Sequence, residues 1–121
     1  MSYVQPIAPG FRYNLGTMIE QGKAGQCVCL AGNNIFKIQY AWQYRTFGIL
    51  ASDCKKDEVV GVWCMGGIYE TDYYILGLQG GDVLSADSMF GCLTLQRRNN
   101  GFVVAETVSV VNGVLRFKLL V

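Results

Sequence analysis

Fifteen glycines cut this 121-residue chain into short segments, and no segment carries an apolar stripe at helical spacing over ten or more positions. Together these two features leave few folds open. What remains is a set of short strands joined by tight turns, spaced about 8–12 residues apart as in a sandwich or small barrel. The reading is all-β: a small β-barrel or β-sandwich of short strands with an extended N-terminal arm.

Two stretches carry that reading most clearly. In residues 36–45, Phe36, Ile38, Tyr40, Trp42 and Tyr44 point one way, and Lys37, Gln39, Ala41, Gln43 and Arg45 point the other. That is the period of a half-buried strand. Residues 102–111 are rich in β-branched side chains, Asn112-Gly113 supplies the positive-φ pair of a type I′ turn, and residues 114–121 return. On the return, Leu115, Phe117, Leu119 and Val121 face a core, while Arg116 and Lys118 face water. A turn at Arg98-Asn99-Asn100-Gly101 connects this hairpin to a strand at residues 91–96. Further strands are expected at 26–30, 48–51, 58–65 and 82–85, with loops at 66–67 and 77–81. Residues 52–58 could form one helical turn capped by Ser52 or Asp53.

The chain is long enough for one domain. Hydrophobic residues make up 51% of it and charged residues 16%, against about 25% charged in a typical soluble domain. A disordered chain is excluded, because this much apolar side chain offsets the entropy of ordering. With few charges to cover its surface, the domain leaves apolar area exposed unless a partner covers it, which is the first hint of an assembly protein.

Ten basic and nine acidic residues give a net charge of +1, so no field of one sign attracts a polyanion or a membrane surface. Neither nucleic acid nor membrane is an expected partner. The chain has no histidine, which removes the Ser-His-Asp and Cys-His arrangements, His-containing zinc sites and imidazole bases. The opening MSYVQPIAPG lacks the basic and apolar regions of a signal peptide, and no run approaches the ~18 apolar residues of a membrane helix. Synthesis in the cytoplasm as a soluble protein is expected.

Cys27, Cys29, Cys54, Cys64 and Cys92 are odd in number and contain no CxxC pair, so they read as reduced thiols acting as small hydrophobes. Asp82 with Asp87, or Glu70 with Asp72, could be paired carboxylates for glycoside chemistry or calcium. Each pair sits beside turn residues, where such side chains bond the local backbone. Gly77-x-x-Gly80-Gly81 lacks the lysine of a phosphate loop. The basic doublets Lys55-Lys56 and Arg97-Arg98 fall at turns. No set of residues assembles a nucleophile, a base and an oxyanion donor, so no catalytic residue, cofactor or metal site is assigned and a non-enzymatic protein is expected.

Two places remain as candidate contact sites. Residues 1–12 form the arm, ahead of a single β domain at 13–121. Pro6 and Pro9 interrupt strand pairing there, yet the arm is apolar and holds no charge before Arg12. Ten extended residues reach roughly 33–36 Å, past the edge of a small domain. The arm either folds back over its own barrel as an edge cover or is captured by another subunit, with Tyr3, Val4, Pro6, Ile7, Pro9 and Phe11 as the contact residues. The second place is the aromatic stripe of Tyr40, Trp42 and Tyr44. It is either core or inter-subunit surface, or else a stacking platform for sugars or single-stranded bases.

The order of short motifs carries a resemblance. Ala24-Gly25-Gln26-Cys27-Val28 is followed by Gly48-Ile49-Leu50-Ala51-Ser52-Asp53, then by Lys56-Asp57-Glu58-Val59-Val60-Gly61-Val62. Next come Gly66-Gly67-Ile68-Tyr69, Gly80-Gly81-Asp82-Val83-Leu84 and Gly91-Cys92-Leu93-Thr94-Leu95. The series, spanning roughly residues 22–121, resembles the capsid decoration, or cement, proteins of tailed bacteriophages. The chain differs from them in the aromatic insertion at 36–47, in its cysteines, and in Ser85 where tyrosine is frequent. The resemblance implies a structural virion protein on the capsid exterior that cements adjacent subunits. Its partners would be the major capsid protein and itself, as a homotrimer. The alternative is a β-barrel binding module for single-stranded nucleic acid or glycan that uses the aromatic strand.

Overall fold

The computed structural model describes residues 2–8, 12–40, 45–96 and 102–121. Eleven strands and no helix are found among them: β1 (Val4–Ala8), β2 (Arg12–Met18), β3 (Cys27–Gly32), β4 (Ile35–Ile38), β5 (Gly48–Leu50), β6 (Val59–Cys64), β7 (Ile68–Thr71), β8 (Val83–Ala86), β9 (Leu93–Leu95), β10 (Ala105–Val111) and β11 (Val114–Leu119). The fold is all-β, as expected. It joins both expected architectures, since one half is a closed barrel and the other an open sheet.

The barrel runs β2-β4-β3-β5-β6 and closes where β6 pairs with β2. The β2–β4 contact is parallel and the other pairings are antiparallel. The six-stranded sheet has the order β1-β7-β11-β10-β8-β9. An isolated bridge between Gln26 and Cys92 stitches the two together, and the Cys27 amide donates to the Gly91 carbonyl at 2.7 Å.

Alternation along the barrel strands builds two cores. Met18, Val28, Phe36, Ile38, Leu50, Val60 and Val62 fill the barrel. Their neighbours Cys27, Ile49 and Trp63 point outward and meet Tyr69, Leu84, Leu93, Leu115 and Phe117 of the six-stranded sheet. Residues Cys27, Val28 and Cys29 of β3 and the whole of β5 are therefore covered on both faces and read as unbroken apolar runs.

The hairpin of β10 and β11 turns at Asn112 and Gly113, with φ of 51° and 76°, as a type I′ turn requires. Leu115, Phe117 and Leu119 are buried.

Three expectations are corrected and one is refined. The alternating strand of residues 36–45 ends at Ile38. Beyond it Gln39 turns inward and accepts a hydrogen bond from Thr46 Oγ1, while Tyr40 turns out to 41% exposure. The hydrogen bond satisfies the buried amide, and a continued strand would have left it facing water. Residues 52–58 form no helical turn. Cys54 bridges to Gly22, Asp57 takes φ of 70°, and the Lys55 amide donates to Glu58 Oε1. The run from 102 joins the sheet as a strand only from Ala105. Finally, Pro6 interrupts the pairing of the arm without abolishing it. Residues Val4–Ala8 form an edge strand on β7, with Pro6 opposite Tyr69 and a bulge between Pro6 and Ala8. An edge strand needs donors on one side only, and the bulge absorbs the lost ladder bond. This half of the arm thus belongs to the six-stranded sheet.

Candidate docking face

Strands β2 and β6 make a barrel wall whose inner side fills the barrel and whose outer side meets the second core at Trp63 and solvent at Leu15 and Val59. Pairing sets Tyr13 opposite Trp63, Leu15 opposite Gly61 and Thr17 opposite Val59. Alternation sends these six residues to the outer side, because Val60 and Val62 fill the barrel. None of the six is charged. Leu15 is 60% exposed and Val59 70%, diagonal neighbours across the two strands. Tyr13 is half exposed, and Ile19, just beyond β2, extends the apolar surface.

One end of this wall is anchored. Tyr13 packs on Trp63 with ring centroids 4.6 Å apart, Trp63 on Tyr69 at 5.5 Å, and Tyr69 on Phe117 at 5.7 Å. A chain of four rings thus runs from the exposed wall into the core between barrel and sheet. A surface held this way loses little side-chain entropy when it is covered, which favours binding.

The outer face of the six-stranded sheet differs in character. Gln5, Glu70 and Arg116 lie in one row across β1, β7 and β11. Arg116 donates from Nε and Nη2 to Glu70 Oε2 at 3.1 and 2.9 Å, and Gln5 donates to Glu70 Oε1. A second row carries Lys118 and Glu106. Val83, opposite Glu106, and Val111 near the hairpin turn are exposed as well, so this face mixes charged and apolar side chains.

The sequence candidates fall as follows. In the arm, Val4 is buried, Pro6 is half-buried, and Tyr3 and Ile7 are 36% and 40% exposed. The Tyr3 amide donates to Asp72 Oδ1 at 3.0 Å, and Thr71 Oγ1 donates to the Tyr3 carbonyl at 2.8 Å. Pro9 and Phe11 lie outside the described residues, as do Trp42, Tyr44, Arg97 and Arg98. Tyr40 stands apart from the barrel core that holds Phe36 and Ile38. The carboxylates have local partners: Asp82 accepts from the Gln79 amide and Asp87 from those of Met89 and Phe90. Glu70 and Asp72 hold Arg116 and the arm.

All five cysteines are free and buried. Burial raises every one of their thiol pKa values. For Cys92 it does so together with the Asp87 charge, up to about 12. None is poised as a thiolate nucleophile at neutral pH.

The docking residues Tyr13, Leu15 and Val59 were absent from the sequence candidates. A signal was available: Tyr13, Leu15, Thr17 and Ile19 alternate with Asn14, Gly16 and Met18. No protein-family model matches the chain, and no curated protein matches it.

Proposed function

We propose that the chain is a non-enzymatic capsid decoration protein. It would dock on the exterior of an assembled phage shell and cement adjacent copies of the major capsid protein. The observation that carries the reading is the contrast between the two outer faces. The β2–β6 wall is uncharged and exposes Leu15 and Val59, whereas the six-stranded sheet displays the Gln5–Glu70–Arg116 row. A protein lying on a shell needs one face to be covered and one to remain wet. Binding the shell and not its free subunits stabilises the assembled state by mass action, and many symmetric copies make a small contact strong. The order of glycine-punctuated motifs supports the same reading.

The test is sedimentation with expanded shells assembled from the major capsid protein of the same genome. The wild-type chain co-sediments, and Leu15→Asp with Val59→Asp stays in the supernatant. Undiminished binding by the double variant removes the wall from the proposal. Failure of the wild-type chain to bind removes the proposal itself.

A second reading rests on Tyr40, which is 41% exposed and stands outside the barrel core. It is the binding module that stacks sugars or single-stranded bases. Quenching of tryptophan fluorescence by an oligosaccharide or oligonucleotide supports it, and a silent titration removes it.

A further inference from the structure

We propose that β1 is an exchangeable strand, able to leave β7 of its own chain and pair with β7 of a second copy. This is independent of the docking reading and concerns the edge of the six-stranded sheet.

Three observations converge on β1. It lies at a sheet edge and pairs with one strand, β7. It is lightly held: Val4 is its one buried side chain, and its ladder is broken at the bulge between Pro6 and Ala8. Segments with few buried apolar contacts are the ones that open locally. Yet β1 is uncharged from end to end, so water is a poor alternative environment for it once released.

The vacated site selects its occupant. Thr71 and Tyr69 of β7 are fully buried, and Thr71 Oγ1 and Asp72 Oδ1 present a donor and an acceptor matched to the backbone of Tyr3. Gln5 meets Glu70 by a side-chain hydrogen bond at 3.3 Å. Tyr3 and β1 together satisfy these groups, whether supplied by the same chain or by another. Closed and exchanged forms contain the same contacts, so the free energy between them is small and chain concentration selects.

The hinge is short. Three residues separate β1 from β2 and span roughly 10–11 Å when extended, so exchange brings the β7 edge of one copy close to the start of β2 of the other.

The test uses the isolated chain, so it stands or falls apart from shell binding. Chains carrying Gln5→Cys and chains carrying Glu70→Cys are mixed, unfolded and refolded together over a range of concentrations, then oxidised. The five native thiols are buried and do not compete. Exchange gives a disulfide-linked heterodimer whose yield rises with concentration. A parallel mixture of Gln5→Cys with Glu106→Cys, an exposed position two strands further along the sheet, sets the collisional background. Because Glu70→Cys also removes the Arg116 ion pair, Tyr3→Cys mixed with Asp72→Cys serves as a second pair. Heterodimer no greater than background in both mixtures overturns the proposal.

Discussion

The ring of Tyr13 occupies the space that a side chain at Gly61 would need: a Cβ there would lie 1.8 Å from Tyr13 Cζ and Oη. Glycine at position 61 is what lets the phenol lie flat across β6 and reach Trp63. The exposed barrel wall thereby connects with the interior ring stack, so the position shapes the proposed docking face as well as the fold.

Two glycines of this region respond differently to the same substitution. In Gly61→Ala the new methyl meets the far end of a half-exposed side chain, which can swing into solvent. The cost is about 1 kcal/mol, at the low end for overpacking, and Tyr13→Ala in the same background adds almost nothing. In Gly48→Ala the methyl would stand 2.2 Å from the Trp63 carbonyl oxygen, which is fixed by the β5–β6 ladder. That variant loses about 3 kcal/mol or more. Urea unfolding of the four proteins measures both, and equal losses for the two glycine variants contradict the account.

Replacing Leu15 or Val59 by aspartate leaves stability within about 0.5 kcal/mol of wild type, because both side chains are already in water. Shell binding is lost in the same variants. Thermal melting beside co-sedimentation separates a lost contact from a lost fold.

Asn112 holds a left-handed conformation at the tip of the β10–β11 hairpin. Asn112→Ala costs about 1 kcal/mol, since alanine lacks the local hydrogen bonding that lets asparagine tolerate positive φ. Asn112→Gly is close to neutral. Unfolding midpoints in urea rank the three chains, and an alanine variant as stable as wild type would be inconsistent with this turn.

Alkaline pH weakens the fold. The thiols of Cys27 and Cys92 titrate above the ordinary value of 9.0 because burial disfavours the thiolate, so the native state holds protons that the unfolded chain has lost. By linkage, the stability from these groups is full below about pH 9 and declines as pH climbs towards 12. The tyrosines Tyr3, Tyr40 and Tyr73, also raised by burial, act in the same direction. The melting temperature should stay flat in these terms up to pH 9 and fall beyond it. A flat profile to pH 11 rules the linkage out.

Legibility followed solvent exposure. The β10–β11 hairpin could be read almost residue by residue because one face is wet, which leaves Arg116 and Lys118 between Leu115, Phe117 and Leu119. Strands β3 and β5 gave only approximate positions, since Cys27 and Val28, or Ile49 and Leu50, are buried against different cores and their alternation is invisible. β7 was missed for a related reason. Its Glu70 looks like a turn or site residue until Arg116 is seen beside it. β1 was discounted because of Pro6, whose cost depends on whether a strand lies at an edge, and a linear sequence does not say which strands do.

By itself, then, the sequence determined the class of fold. Glycine spacing, strand-period alternation and the Asn112-Gly113 turn are local properties, and local backbone preference suffices to express them. It also determined that apolar surface would exceed what charge could cover. Where that surplus lies was decided by the tertiary structure. Closing β2 against β6 turned Tyr13, Leu15 and Val59 outward, and seating β1 on β7 drew Val4 in. Both outcomes depend on which strands become neighbours, and pairing between strands far apart in the chain leaves no mark on either strand alone.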